Sequence, residues 1–380
     1  MRSRRIHLQR ESDPRSELES DDFALNTTRL NGVRALLVIV MAFGYASTMA
    51  RGPESAEFGR LLGYEPSLFA LQALFFLSGY LVMRSLERHG SALKMLTSRA
   101  RRNLVPLTLV TIVVAFVVYP LICEDTGMGT LSVIDRAVYV LSTITCVNPG
   151  QIMPGALDTA NYQCLLQGSI WTFRWGAVAY VGTAVLHRLG GLSNRRMIAC
   201  AALALPSAYA VLQVALLRGM LSELGPLLAG LRLGYPFVLG MAAYVYRDSL
   251  PVSAIRKAAW IASALGLATL NYLYLPWTPF IEVAATGAVS AFALFLAGSQ
   301  SWTTNWLKNW PALALPVFLL NWPVAQVLIY MMPSIESGAL VAMTLALTVG
   351  AGLMITHGWS YVRSAFSPPP FNQANIPRTA

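Results

Sequence analysis

The chain has 380 residues, of which 55% are hydrophobic and 12% charged, with a net charge of +10 and a mean hydropathy of +0.53. A soluble domain carries about 25% charged residues, so this composition excludes an ordinary soluble protein. The positive charge lies in short segments between apolar runs and is unaccompanied by any RNA- or DNA-binding motif, so it reads as a topology signal and no nucleic-acid partner is expected.

Residues 1–28 are charged at the start and contain no apolar core of a signal peptide, so they read as a disordered cytoplasmic tail. After them the apolar residues come in runs of roughly 17–22, the length a helix needs to cross about 30 Å of hydrocarbon. Lipid offers no partners for free backbone groups, and the runs do not alternate, so helices are expected and a β-barrel is not. The expected spans are Val33–Met49, Ser67–Met83, Leu104–Ile122, Trp171–Leu186, Met197–Leu217, Leu224–Tyr246, Ala258–Leu275, Phe280–Ala297, Pro311–Met331 and Gly338–Trp359. Leu131–Thr145 holds Asp135 and Arg136 and reads as a short surface or re-entrant helix. The fold class is therefore an all-α membrane protein with about ten transmembrane helices. A membrane domain is expected over 29–363 and a second tail over 364–380.

Loop charge sets the orientation. Arg84, Arg88, Lys94, Arg99, Arg101 and Arg102 follow the second span, Arg188, Arg195 and Arg196 the fourth, and Arg247, Arg256 and Lys257 the sixth. Pro276–Pro279 and Pro333–Ser337 carry no positive charge. Both termini are thus expected in the cytoplasm, and the Cys123–Ser169 connection outside, where a disulfide is permitted. Cys146 with Cys164 is one of three pairings there. Cys200, inside an apolar run, reads as a small core residue. The cysteines show no metal spacing, and no metal is expected. There is no internal repeat, no Walker-type loop and no pair of interrupted spans, which disfavours a transporter or flippase.

Three segments in the first third carry the chemistry: Asn31-Gly32-Val33-Arg34 opening the first span, Phe75–Leu81 in the second, and Arg99–Pro106 leading into the third. Further on come MPGALDTANYQCLLQGSIWTF, GYPFVLGMAAYVYRDSLP and ALPVFLLNWPVAQVL. In this order and topology, over roughly Arg29–Arg363, they resemble the acyltransferase 3 family of bacterial membrane-bound O-acyltransferases. The resemblance implies a multi-pass protein of the bacterial inner membrane. It implies transfer of an acyl group, usually acetyl, from a cytoplasmic acyl-CoA such as acetyl-CoA to a hydroxyl of a cell-surface polysaccharide or lipid-linked glycan. That chemistry needs a base for the hydroxyl proton, stabilisation of the thioester oxygen, and cations for the donor phosphates.

The chain departs from the family pattern at four places, one of them the Glu often found after the last helix, which has no clear counterpart near Val362–Phe366. The family's first-helix His falls on Tyr45, eleven residues after Arg34; its Glu after the Trp-Ser/Thr-Leu motif falls on about Gly176; its late His falls on Asn321. Tyrosine ionises near pH 10 and is a poor base at neutral pH. None of His7, His89, His187 and His357 stands at a family His position. A catalytically degenerate relative that binds donor or glycan, or supports a partner enzyme, is therefore a second reading.

The candidate catalytic residues are Arg34, Tyr45, Arg174 and Asn321, and the candidate donor-binding residues Arg99, Arg101 and Arg102. Each has a plainer reading. Arg34 suits a snorkelling charge as well as a phosphate ligand, and the basic cluster suits the positive-inside rule. Arg174 and Glu282 are ionisable groups near span ends, functional candidates by default in a membrane. Ser78 and Gly79 read as a close-packing pair, and Trp171 as an interfacial anchor.

Overall fold

The computed structural model describes residues 27–52, 65–123, 131–149, 153, 165–219, 225–249, 279–298, 310 and 312–366. Among these the regular structure is entirely helical. In chain order the helices are α1 (Thr27–Arg51), α2 (Pro66–His89), α3 (Ala92–Val113), α4 (Val133–Ile144), α5 (Thr172–Arg188), α6 (Arg195–Leu217), α7 (Gly225–Val245), α8 (Pro279–Gly298), α9 (Ala314–Met331) and α10 (Ser337–Phe366). A π-helical segment, Val114–Val118, and a last turn, Tyr119–Cys123, continue α3.

Eight of these helices are long and apolar enough to cross a membrane. α5, with 17 residues, falls just short of that set. The expected span Ala258–Leu275 lies outside the described residues. α4 has 12 residues, about 18 Å at 1.5 Å per residue, too short to cross. It matches the short helix expected there. Its start is fixed by a capping box in which the Ser132 hydroxyl accepts from the Asp135 N–H and the Asp135 carboxylate accepts from the Ser132 N–H.

One expectation needs correction. The basic connection expected after the second span is helical: Arg84 and Arg88 lie in the last turns of α2, and Lys94, Arg99, Arg101 and Arg102 occupy the first three turns of α3. Only Gly90 and Ser91 separate α2 from α3. Gly90 adopts φ 60°, and its N–H closes α2 on the Leu86 carbonyl. The Ser91 hydroxyl then accepts from the Lys94 N–H and starts the next helix at once. The chain reverses so tightly that the basic cluster is helical and rigidly aimed.

The core is built on α2 and α7. A methyl group at Gly79 would overlap the Phe237 carbonyl oxygen, and one at Gly240 would overlap the Phe76 carbonyl oxygen. The two glycines let the backbones touch, which replaces the hydrophobic drive that lipid removes with close van der Waals packing. Gly79 thus has the packing role read from the sequence. α1, α3 and α8 pack on α2, α5 and α6 pack on α7, and α9 packs on α1.

Candidate functional site

A cavity of about 470 Å³ opens between α1, α2, α3, α5, α7 and α9. Arg34, from the second turn of α1, and Arg99, from the second turn of α3, line one end with Asn103. Arg99 is only 7% exposed, and its guanidinium carbon lies 5.8 Å from the Tyr180 ring centroid. Arg99 and Arg102 both lie near enough to Arg34 to act on its charge. Among the described residues no carboxylate pairs with any of the three; the ion pairs present are Arg232–Glu282, Arg247–Glu87 and Arg247–Asp248. Clustered guanidiniums without a carboxylate repel one another in a poorly solvated place, and a bound anion relieves that cost.

The cavity is elongated. Thr172, Phe173, Gly176, Ala177, Tyr180 and Val181 of α5 line it at helical spacing, so it follows that helix for about 12 Å from Thr172 to Tyr180. Ile144, Thr145 and Cys146 line it as well. Cys146 stands in the left-handed region at φ 58° and carries a free thiol, which burial pushes above the ordinary range. Cys164, one of its possible disulfide partners, lies outside the described residues.

Most of the wall is apolar: Val38, Leu71, Leu74, Phe75, Phe237 and Phe318 among others. The Tyr180 hydroxyl and the Asn103 amide line it, and its four aliphatic hydroxyls are committed to backbone carbonyls. Ser78 donates to the Leu74 carbonyl at 2.8 Å, Thr97 to Leu93 at 2.9 Å, Thr145 to Leu141 at 2.7 Å and Thr172 to Ser169 at 3.3 Å. Gly176, at the family's Glu position, lies in the wall, and a methyl group there would meet nothing within 4 Å.

Neither Tyr45 nor Asn321 is among the residues that line this cavity. The Tyr45 ring meets the Trp322 ring edge-on at 5.6 Å. Trp322 is held by its indole N–H, which donates to the Leu165 carbonyl at 2.7 Å, and its ring fills the space that glycine leaves at Gly168. Asn321 is buried; its amide N–H donates to the Val317 and Phe318 carbonyls, and its Oδ1 has no partner. Phe318, one turn earlier, is in the cavity wall. Asn321 therefore stands just behind that wall. Arg174 is exposed and stacks on Trp175 at 5.7 Å. Arg101 and Arg102 are exposed on α3 beside the cavity.

Glu282, a functional candidate by sequence, is held in a network that local sequence does not reveal. Glu282 is 1% exposed. It accepts from Arg232 Nε at 2.7 Å and from another guanidinium nitrogen at 2.9 Å, from the Tyr209 hydroxyl at 2.8 Å and from Gln72 Nε2 at 2.6 Å. The Tyr235 hydroxyl donates to Thr286, and Thr286 to Gln72 Oε1. This network ties α2, α6, α7 and α8 together. An Arg and a Gln inside two of the expected spans were the available signal. The carboxylate is fully engaged within the bundle, so the cluster acts as a structural clamp.

No curated protein and no solved structure matches the chain. The family model described as an acyltransferase domain matches residues 28–361, nearly the whole chain, and this multi-helix membrane protein belongs to the acyltransferase 3 family.

Proposed function

We propose that the protein is an integral-membrane O-acyltransferase of the bacterial inner membrane. It takes an acyl group, acetyl in the simplest case, from a cytoplasmic acyl-CoA and passes it to a hydroxyl of a cell-surface polysaccharide or lipid-linked glycan. The observation that carries this reading is the pairing of Arg34 and Arg99, without carboxylate partners, at one end of an apolar cavity. Guanidiniums so placed match phosphate oxygens. Arg101 and Arg102, exposed on the same turns of α3, widen the cationic mouth. With both termini cytoplasmic and ten spans, this mouth faces the donor. The depth relations support that topology: Gln72, early in α2, bonds Glu282 in the first turn of α8, beside Arg232 of α7. α2, α7 and α8 thus run the same way, and the chain leaves α7 at one end of the bundle and enters α8 at the other. Tyr45 and Asn321 hold the sequence positions of the family's two histidines.

A second reading, a degenerate relative acting as a binding or partner subunit, is favoured by one observation. Among the described residues no histidine, aspartate or glutamate lines the cavity.

Transfer of label from acyl-CoA to cell-surface glycan, compared between wild type and a deletion strain, tests the enzyme reading. Label that depends on the gene supports it. Equal labelling in both strains, with donor still bound by the purified protein, leaves the binding subunit.

A further inference from the structure

We propose that the Tyr180 hydroxyl is a third ligand for the phosphate group that Arg34 and Arg99 hold, donating a hydrogen bond to it from α5. The proposal rests on the donor reading of the site and adds a binding residue that none of the sequence motifs marks.

Three observations carry it. The first is convergence. Arg34 of α1, Arg99 and Asn103 of α3 and Tyr180 of α5 line one cavity. The Arg99 guanidinium carbon lies 5.8 Å from the Tyr180 ring centroid, and the guanidinium comes within hydrogen-bonding reach of the Tyr180 hydroxyl. Arg34 is near enough to act on the same hydroxyl. An anion held between the two guanidiniums therefore lies beside the phenol.

The second is the direction in which the hydrogen bonds run. A guanidinium can only donate, so its approach to a phenol uses a lone pair of the oxygen and leaves the O–H proton for another acceptor. The aliphatic hydroxyls of the wall have spent theirs: Ser78, Thr97, Thr145 and Thr172 all donate to backbone carbonyls. Among the described residues nothing accepts from the Tyr180 hydroxyl, so its proton is the one the wall offers to a ligand. A cation on the phenol oxygen polarises that O–H and makes it a better donor.

The third is rigidity. The Tyr180 ring meets the Phe237 ring edge-on at 6.0 Å, and the Phe237 carbonyl is the group that Gly79 faces across the α2–α7 contact. Tyr180 is thus braced on the closest backbone approach in the bundle. A donor already held in place loses little freedom when its ligand arrives. Two guanidiniums and one neutral O–H, coming from three helices, suit a phosphate, which has more acceptor oxygens to share among them than a carboxylate has.

The test uses the full chain purified into nanodiscs, as wild type and as Tyr180→Phe. Titration calorimetry measures the affinity for CoA and for inorganic pyrophosphate. The variant keeps the ring against Phe237 and Arg99, so its unfolding temperature without ligand should equal that of wild type. Loss of a hydrogen bond to a charged group should weaken CoA and pyrophosphate alike, by about ten-fold or more. Weaker CoA with unchanged pyrophosphate would mean that Tyr180 only shapes the wall; that result overturns the proposal and leaves the donor reading standing. Unchanged affinity for both does the same. CoA that pyrophosphate fails to displace has its phosphates elsewhere, which also overturns the proposal. Pyrophosphate binding that depends on Tyr180, with no binding of CoA, keeps the anion subsite and removes the donor reading. Binding of neither probe by wild type overturns both.

Discussion

Arg232 grips Glu282 with two guanidinium nitrogens, at 2.7 and 2.9 Å, in a part of the bundle where the carboxylate is 1% exposed. Two further donors, the Tyr209 hydroxyl and the Gln72 amide, complete the shell of that carboxylate. The charge is thereby satisfied within the protein, and four helices are joined through one side chain.

Breaking one half of this pair strands the other. Glu282→Ala leaves a guanidinium, one-third exposed, facing Tyr209 and Gln72 without an acceptor. A cost of about 3–5 kcal/mol is expected for such truncation of a buried pair. Removing both charges together, as Arg232→Met with Glu282→Leu, should cost clearly less than the two single changes summed. Thermal unfolding of the detergent-purified variants measures this. Additive losses would mean the pair is not coupled.

The contact of α2 with α7 gives a second test. Gly79→Ala and Gly240→Ala each put a methyl group into a backbone carbonyl of the facing helix. Neither backbone yields without moving the helix, so each should destabilise by about 1–3 kcal/mol, the range for overpacking a filled site. Gly176→Ala, on a helix with open space at the added methyl, serves as the control and should keep the wild-type unfolding temperature. A tolerated Gly79→Ala would show that the two helices are not in backbone contact.

Tyr45→Phe separates an enzyme from a relic. The substitution keeps the ring that meets Trp322 at 5.6 Å and removes only the hydroxyl. If Tyr45 moves the acceptor proton, transfer should fall by about 10²-fold or more with the protein still folded. Wild-type transfer that survives the change unaltered would place the base elsewhere.

Cys146 predicts a pH dependence. Burial disfavours its thiolate and raises its ionisation above that of a free thiol. At any pH below that raised value the reactive thiolate is scarcer than in a free thiol, near 8.5. The alkylation rate of Cys146 should therefore rise along a curve displaced to higher pH than that of glutathione in the same buffer. Superimposed curves would show an open thiol.

Much of the fold was legible because lipid imposes a simple rule: an apolar run of sufficient length must be a helix. The short length of α4 was legible from Asp135 and Arg136 in a weakly apolar segment. The helical start of α3 was not, since charge density suggested a loop while the Ser91 cap and the two-residue reversal at Gly90 are local geometry. Arg34 and Arg99 were named from sequence, and both line the cavity. Tyr45 and Asn321 were named by their places in a family pattern; neither lines the cavity, since Tyr45 packs on Trp322 and the Asn321 amide turns to the Phe318 carbonyl.

By itself the sequence determined that the chain enters a membrane as helices, where its cations gather along the chain and which family's motifs it carries. These follow from composition and local spacing, which need no partner. Only the tertiary structure decided that Gln72, Tyr209, Arg232 and Glu282 are one cluster, that Gly79 and Gly240 face carbonyls, and that Arg34, Arg99, Gly176 and Cys146 share one cavity. Those relations join residues up to 210 positions apart. They depend on which helix faces meet, and hydropathy cannot specify this in a bilayer, because lipid-facing and protein-facing sides are both apolar.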